Sequence, residues 1–103
     1  MATPEGKVKA MVKRVLDKYR PDLRYRMPVP CGYGKQDLDF YGCYRGRYFA
    51  IETKAARGKL TARQELDIQE IERAGGATFV IRDKESLGEL ETWLLKSTQW
   101  MAT

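Results

Sequence analysis

The first part of the chain carries apolar residues at helical spacing. Thr3-Pro4 is typical of a helix start, with threonine as the cap and proline at the first helical position. The apolar pattern that follows stops before Pro21. Its stripe consists of Val8, Met11, Val12, Val15, Leu16 and Tyr19. The pattern therefore predicts an amphipathic helix that ends before Pro21.

Two segments with strand periodicity follow and are joined by a tight turn. Residues Asp37 to Cys43 and Arg47 to Lys54 lie on either side of Arg45-Gly46, which is typical of a two-residue hairpin loop. Upstream, residues Arg24 to Met27 predict a short edge strand, because the prolines that follow interrupt strand pairing. These segments predict the antiparallel part of a sheet.

The rest of the chain predicts a helix, a strand and a last helix. Thr61 caps a helix that runs to about Ala74, where two glycines end it. The apolar run from Ala77 to Arg82 predicts a buried, central strand. Ser86 opens a second capping box, and the apolar stripe after it ends near Lys96. The order αβββαβα predicts the α/β class, here an α+β mixed sheet covered by helices.

Composition limits the chain to one domain. Residues 1–103, with 43% hydrophobic content, suffice for one core and leave no room for a second. The sequence has no run of about 18 apolar residues and no secretory leader, so we expect a cytoplasmic protein that does not enter a membrane. Cys31 and Cys43 lack metal or redox spacing, which predicts free thiols. The absence of histidine excludes His-metal nucleases and Ser-His or Cys-His hydrolases.

The basic charge of the chain favours a polyanionic partner. The net charge is +5 and the pI is about 9.3. Tyr33 and Lys35 lie in a glycine-rich segment that would let an unpaired base stack and a phosphate approach, or that forms a plain turn. Arg57 and Lys59, in a loop without acids, and Arg63 on the next helix are either phosphate ligands or solvated residues.

The hairpin register brings two carboxylates together. Counting back from the turn places Asp39 opposite Glu52 and Asp37 opposite Lys54. Directly opposed carboxylates, about 5 Å apart, repel each other unless a positive charge lies between them. Mg²⁺ prefers oxygen ligands of this kind and suits an acidic pair without histidine. The alternative is that Asp37 and Asp39 are exposed acids on the strand face that pair with Lys54 and Arg47.

These residues resemble a known nuclease motif. Asp39, the triplet Glu52-Thr53-Lys54 and then Gln64 follow the order and spacing of the PD-(D/E)XK nuclease superfamily, specifically its VRR-NUC family. Leu38 stands where that family usually has proline. A looser resemblance extends from Glu5 to Arg82, and the chain looks most like the small stand-alone members found in bacteriophages.

The resemblance implies a fold, a reaction and a set of roles. The expected fold is a restriction-endonuclease-like αβββαβ core with a C-terminal helix, and the expected activity is metal-dependent hydrolysis of phosphodiester bonds in DNA. Asp39, Glu52 and the backbone carbonyl of Thr53 are expected to hold Mg²⁺ or Mn²⁺, with Asp37 as the reserve ligand. Lys54 is expected to orient the attacking water.

The resemblance also implies a substrate and an assembly. Branched DNA such as a four-way Holliday junction is the expected substrate, and a homodimer would supply one active site for each strand. A phage-encoded member would act in the cytoplasm of the host cell. Trp93, Trp100 and Met101 offer apolar surface for a dimer interface, although Trp93 lies on a helix stripe that also suits the monomer core.

Two residues have a structural and a catalytic interpretation. Glu5 lies in the first turn of the first helix, where the helix dipole favours an acid, whereas related nucleases carry an acid there that points at the metal. Gln64 closes a capping box with Thr61, whereas in the resembled family a glutamine at this place belongs to the active site.

Two other classes of function remain open. The first is a catalytically inactive module of the same fold that binds nucleic acid, and the second is a structural or inhibitory protein whose basic surface meets another protein. Metal binding that depends on Glu52 separates the nuclease from both.

Overall fold

The described part of the chain forms a mixed sheet with helices on both faces. A computed structural model describes residues 3–29 and 37–101, with only the backbone of residues 98–101. The helices are α1 (Pro4–Asp17), α2 (Ala62–Arg73) and α3 (Lys84–Met101), and the strands are β1 (Leu23–Arg26), β2 (Phe40–Tyr44), β3 (Arg47–Thr53) and β4 (Ala77–Ile81). The predicted order of elements is confirmed within these residues, as is the α+β mixed sheet.

The strands lie in the order β1-β2-β3-β4. β1 pairs with β2 and β2 with β3 in antiparallel fashion, whereas β3 and β4 are parallel. The prediction of β1 as an edge strand is confirmed. The prediction that the last strand is central is wrong, because β4 lies at the other edge of the described sheet. Its apolar composition reflects packing against α2 and α3, and strands do not flank it on both sides.

The β2–β3 hairpin has the predicted turn and register. Arg45 and Gly46 have φ angles of 50° and 86°, as a turn that follows the right-handed twist of the strands requires. Tyr44 pairs with Arg47, and the ladder continues to the pair Phe40 and Ile51. The predicted strand limits at Asp37 and Lys54 were too wide, since β2 begins at Phe40 and β3 ends at Thr53.

One face of the sheet packs against α1 and α3 and forms the core. Its cluster of buried residues includes Val12 and Leu16 of α1, Phe40 and Phe49 of the sheet, and Leu90 of α3. Each such side chain contributes about 1.5–3 kcal/mol when it is fully buried.

Trp93 joins this core from α3. Its ring meets those of Phe49 and Phe79 edge-on, with centroids 5.9 Å and 5.6 Å apart. Trp93 therefore covers the monomer's own core, as its place on the helix stripe indicated. The side chains of Trp100 and Met101 lie outside the description.

The helix starts follow the predicted chemistry with one shift. The hydroxyl of Thr3 accepts a hydrogen bond from the amide of Gly6, which confirms the cap of α1. The predicted cap of α3 at Ser86 is wrong, because Oδ1 of Asp83 accepts from the Ser86 amide at 2.9 Å and Ser86 Oγ accepts from the Asp83 amide at 3.1 Å. The box is therefore centred three residues earlier.

Helix α3 also continues past the predicted end near Lys96, as far as Met101. The sequence after Lys96 contains no glycine or proline that would stop a helix there. None of the described helices has the length and apolar character needed to cross a membrane. Cys43 is exposed and free, as predicted, and Cys31 lies outside the described residues.

The opposite face of the sheet carries α2. Gln64 of α2 reaches Glu52 of β3. Near the other end of the helix, Ile71 and Tyr48 both lie beside Gly76, where an added Cβ would be 2.7 Å and 2.9 Å from their nearest atoms. Helix α2 therefore lies over β3 and β4, with its N-terminus at the carboxyl end of β3.

Candidate active site

Asp39 lies just before β2 and is held by its side chain. Its Oδ2 accepts hydrogen bonds from the backbone amide of Thr53 at 2.9 Å and from Thr53 Oγ1 at 2.6 Å. Asp39 is thus held through its side chain, and the backbone ladder of β2 ends at Phe40. The two hydrogen bonds also place the carboxylate at the carboxyl end of β3.

Glu52 is a buried carboxylate at that end of the sheet, with 3% of its surface exposed. Its Oε2 lies 3.3 Å from Lys54 Nζ and accepts from Gln64 Nε2 at 3.0 Å. Its Oε1 is buried and finds no hydrogen-bond partner among the residues that the structure describes. A buried carboxylate oxygen without a donor is costly, so it marks a place that a ligand can fill.

Burial raises the pKa of Glu52 from its ordinary value of 4.5 to about 7. The value of about 7 also includes the negative charge of nearby Asp39, which raises the pKa, and the charge of Lys54, which lowers it. The predicted proximity of Asp39 and Glu52, and that of Glu52 and Lys54, are therefore both present.

Gln64 serves the helix cap and the site at the same time. Its side-chain Oε1 accepts from the Thr61 backbone amide at 3.0 Å, and its backbone amide donates to Thr61 Oγ1 at 3.1 Å. The nitrogen of the same side-chain amide, Nε2, donates to Glu52. The two interpretations of Gln64 are compatible because the side-chain amide has a separate acceptor and donor.

A hard divalent cation fits the oxygen atoms at this end of the sheet. Oε1 of Glu52 has no partner within residues 3–29 and 37–97, and the charges of Glu52 and Asp39 repel each other, so a cation would satisfy both. No group of three or more acidic or cysteine side chains with metal-binding geometry occurs in residues 3–29 and 37–101. Glu5 therefore does not join Asp39 and Glu52 in a three-carboxylate cluster.

Lys9 is a site residue that sequence reasoning missed. Its Nζ lies 3.5 Å from Asp39 Oδ1, and 35% of its side chain is exposed. Lys9 is four residues after Glu5, so both lie on the same side of α1. That spacing was the available signal, although it pointed to Glu5 and not to the lysine.

The basic loop after β3 is held by a second residue that was missed. Arg82, which follows β4, donates from Nη1 to the carbonyl oxygens of Ala55, at 3.2 Å, and Gly58. The Gly58 amide also donates to the Ala55 carbonyl at 2.9 Å. A basic residue at the end of a strand parallel to β3 was the only signal for this interaction.

The predicted nucleic-acid residues fall into two groups. Arg57, Lys59 and Arg63 are exposed at the same end of the sheet as Glu52. Tyr33 and Lys35 lie outside the described residues.

Asp37 does not belong to strand β2, and it lines a different depression. This depression of about 290 Å³ is bordered by Asp37, Tyr41, Tyr48 and residues of α2 that include Arg63. Neither Asp39 nor Glu52 lines it, so the structure does not bring the reserve ligand Asp37 together with them there.

A scan against known protein families and a search of curated proteins found no match to this chain. The similarity to the VRR-NUC family therefore stays a prediction from the residues quoted above.

Proposed function

We propose that this protein is a metal-dependent DNA endonuclease of the VRR-NUC type that hydrolyses phosphodiester bonds in branched DNA. The observation that carries the proposal is Oε1 of Glu52, a buried carboxylate oxygen without a partner among the described residues. It lies in a cluster that also contains Asp39, Lys54 and Gln64, in the order of the nuclease motif.

Each residue of the cluster has a role in this proposal. Asp39 and Glu52 hold Mg²⁺ or Mn²⁺, together with the backbone carbonyl of Thr53. When bound, the cation supplies positive charge that lowers the pKa of water and offsets the charge that develops on the phosphate in the transition state. Lys54 holds and orients the attacking water, and Gln64 fixes the carboxylate of Glu52 through Oε2.

The loop from Ala55 to Lys59 places positive charge next to this cluster. Arg57 and Lys59 are exposed, and Arg82 fixes the loop backbone at Ala55 and at Gly58, which lies between these two residues. Arg63 adds a charge at the start of α2. Exposed basic side chains of this kind bind phosphates and give DNA affinity that depends on salt.

A second candidate function is an inactive nucleic-acid-binding module of the same fold. The observation that favours it is that both carboxylates already have a lysine partner, since Lys9 lies beside Asp39 and Lys54 beside Glu52. Two such ion pairs would neutralise the site without a metal. The two functions differ in metal binding and in cleavage.

Labelled duplex, flap, single-stranded and four-way-junction DNA, each incubated with the protein and Mg²⁺ or Mn²⁺, test the proposed activity. We expect cleavage of branched DNA that is abolished in Asp39→Asn, Glu52→Gln and Lys54→Met. Glu85→Gln, which changes an exposed acid in the first turn of α3, is the matched control and should cleave normally.

Calorimetry with Mn²⁺ gives a readout that does not depend on activity. Wild-type protein should bind Mn²⁺, and Glu52→Gln should not. DNA binding without Mn²⁺ binding and without cleavage would favour the inactive module.

A further inference from the structure

The sheet face opposite the core contains two adjoining depressions that share two tyrosines. Helix α2 lies over the β3–β4 side of this face, whereas Arg24, Arg26 and Cys43 on the β1–β2 side are exposed. Tyr48 has 46% of its surface exposed. A depression of about 280 Å³ toward β1 and one of about 290 Å³ toward α2 both have Tyr41 and Tyr48 in their lining. The two depressions therefore adjoin at Tyr41 and Tyr48, and together they are called the tyrosine groove.

The strand register gives the position of these tyrosines relative to the candidate active site. Arg24, Cys43 and Tyr48 are cross-strand neighbours in one row, and Arg26 pairs with Tyr41 in the next row. Glu52 lies four residues after Tyr48, about 13 Å along β3. The side chains of Tyr41, Tyr48 and Glu52 share this face, because side chains alternate along a strand and the register aligns the two strands. A strand of nucleic acid over the two tyrosines would thus run toward Glu52.

The groove is basic on one side and mixed in charge on the other. Arg24 and Arg26 stand on the β1 side, and the α2 side is lined by Asp37, Arg63, Asp67 and Glu70. Arginines bind phosphates, and carboxylates accept hydrogen bonds from the amino groups of unpaired bases. Exposed tyrosine rings stack on bases of any sequence. Only an unpaired strand can present phosphate, base face and base edge to the three surfaces together, because a duplex keeps its base faces stacked inside.

We propose that the groove over Tyr41 and Tyr48 binds the unpaired single strand of a branched DNA and directs it to Glu52. The direction of the strand rests on the proposed nuclease function. The binding itself does not, so it is measured without cleavage.

The test is fluorescence anisotropy in EDTA with a flap DNA and a blunt duplex of the same sequence. Tyr48→Ala should weaken flap binding about 10-fold, the effect of removing one stacked base, and leave duplex binding unchanged. Tyr48→Phe keeps the ring and should bind like wild type. Arg24→Gln with Arg26→Gln should also weaken flap binding, whereas Arg14→Gln, an exposed arginine on α1, should not.

A second readout reports stacking directly. A 2-aminopurine in the unpaired strand should lose fluorescence on the wild-type protein and keep it on Tyr48→Ala. Thermal unfolding checks that each variant is folded. If Tyr48→Ala is not folded, the variant with Arg24→Gln and Arg26→Gln still tests the proposal.

Three results would overturn the inference. They are flap binding that none of these variants changes, an equal weakening on flap and duplex, and a dimer without DNA that Tyr48→Ala dissociates, which would assign the groove to a second copy of the chain. Its failure is distinct from failure of the nuclease proposal. Cleavage together with flap binding that no variant changes would refute only the groove proposal. Flap binding that depends on Tyr48 without any cleavage would refute only the nuclease proposal.

Discussion

Gln64 donates a hydrogen bond from Nε2 to Oε2 of Glu52 at 3.0 Å, and it does so while its Oε1 accepts from the first amide of the helix cap. The N-terminus of α2 is thereby tied to a buried carboxylate of β3. Any change at Gln64 acts on both, but different substitutions act on them in different proportions.

Gln64→Glu and Gln64→Ala separate the two roles. Glutamate keeps an acceptor for the Thr61 amide but places a second carboxylate against Glu52, so cleavage should fall on the order of 10- to 100-fold while α2 stays capped. Alanine should remove the cap as well and lower the free energy of unfolding by about 1 kcal/mol. Cleavage assays and urea unfolding measure the two effects. Gln69→Glu, at an exposed position of the same helix, is the control. Cleavage by Gln64→Glu at the wild-type rate would contradict the role in the site.

Glu52 should make the metal-free protein less stable as the pH rises. Its pKa is raised to about 7 in the folded state, so the folded state binds the proton more tightly than the unfolded state does. This stabilisation is fully present below about pH 4.5 and is lost as the pH rises through 7, by an amount on the order of 3 kcal/mol. In Glu52→Gln the group does not titrate. Urea unfolding in EDTA should therefore show the variant gaining stability relative to wild type between about pH 5 and 8.

Mn²⁺ should reverse that destabilisation in the wild-type protein alone. A cation that binds the folded state raises the free energy of unfolding with its concentration. At about pH 8, where Glu52 is ionised, the unfolding midpoint of wild type should rise with added Mn²⁺, and that of Glu52→Gln should not. Equal shifts in both proteins would place the cation elsewhere.

Arg82→Met should loosen the loop between β3 and α2. The change removes the donor to the carbonyls of Ala55 and Gly58, so the free energy of unfolding should fall on the order of 1–2 kcal/mol. Hydrogen exchange at the Gly58 amide should become faster, and the KM for DNA should rise more than kcat falls. Arg82→Lys keeps a charged donor and should restore part of both. Arg73→Met, at the exposed end of α2, should change neither.

The exposed basic residues near the site should set the salt dependence of DNA binding. Removing one phosphate-binding charge lowers the log-log slope by about 0.9, so the triple change of Arg57, Lys59 and Arg63 to glutamine should lower it by roughly 2.7. The control exchanges Lys13, Arg14 and Lys84, which are exposed on other helices, for glutamine. An unchanged slope in the first variant would indicate that the duplex binds to another surface.

A homodimer is the expected working unit, since two cuts in a branched substrate need two sites. Light scattering at micromolar concentration should give twice the chain mass of 11.9 kDa. Trp93 packs on Phe49 and Phe79, so Trp93→Phe should lower stability and leave the dimer intact. A monomer that makes paired cuts in four-way junctions would refute the symmetric arrangement.

The sequence by itself determined the order of the elements and the register of the hairpin. Helix α1 depends on a proline and on apolar residues at helical spacing, and the β2–β3 turn depends on a glycine. These signals act over a few residues and are visible in the sequence. The register then placed Asp39 near Glu52 without further information. Gln64 could be found in the same way, because its capping box is local.

Only the tertiary structure decided what surrounds these carboxylates. The partners Lys9 and Arg82 come from α1 and from the end of β4, each at least 24 residues away from the atoms that it meets. Thr53 holds the side chain of Asp39, and α2 buried Glu52, which raised its pKa. Periodicity records which face of an element is apolar, but it does not record which distant element covers that face. The burial of Glu52 and, within the described part of the chain, the unpartnered Oε1 and the edge position of β4 therefore follow from packing alone.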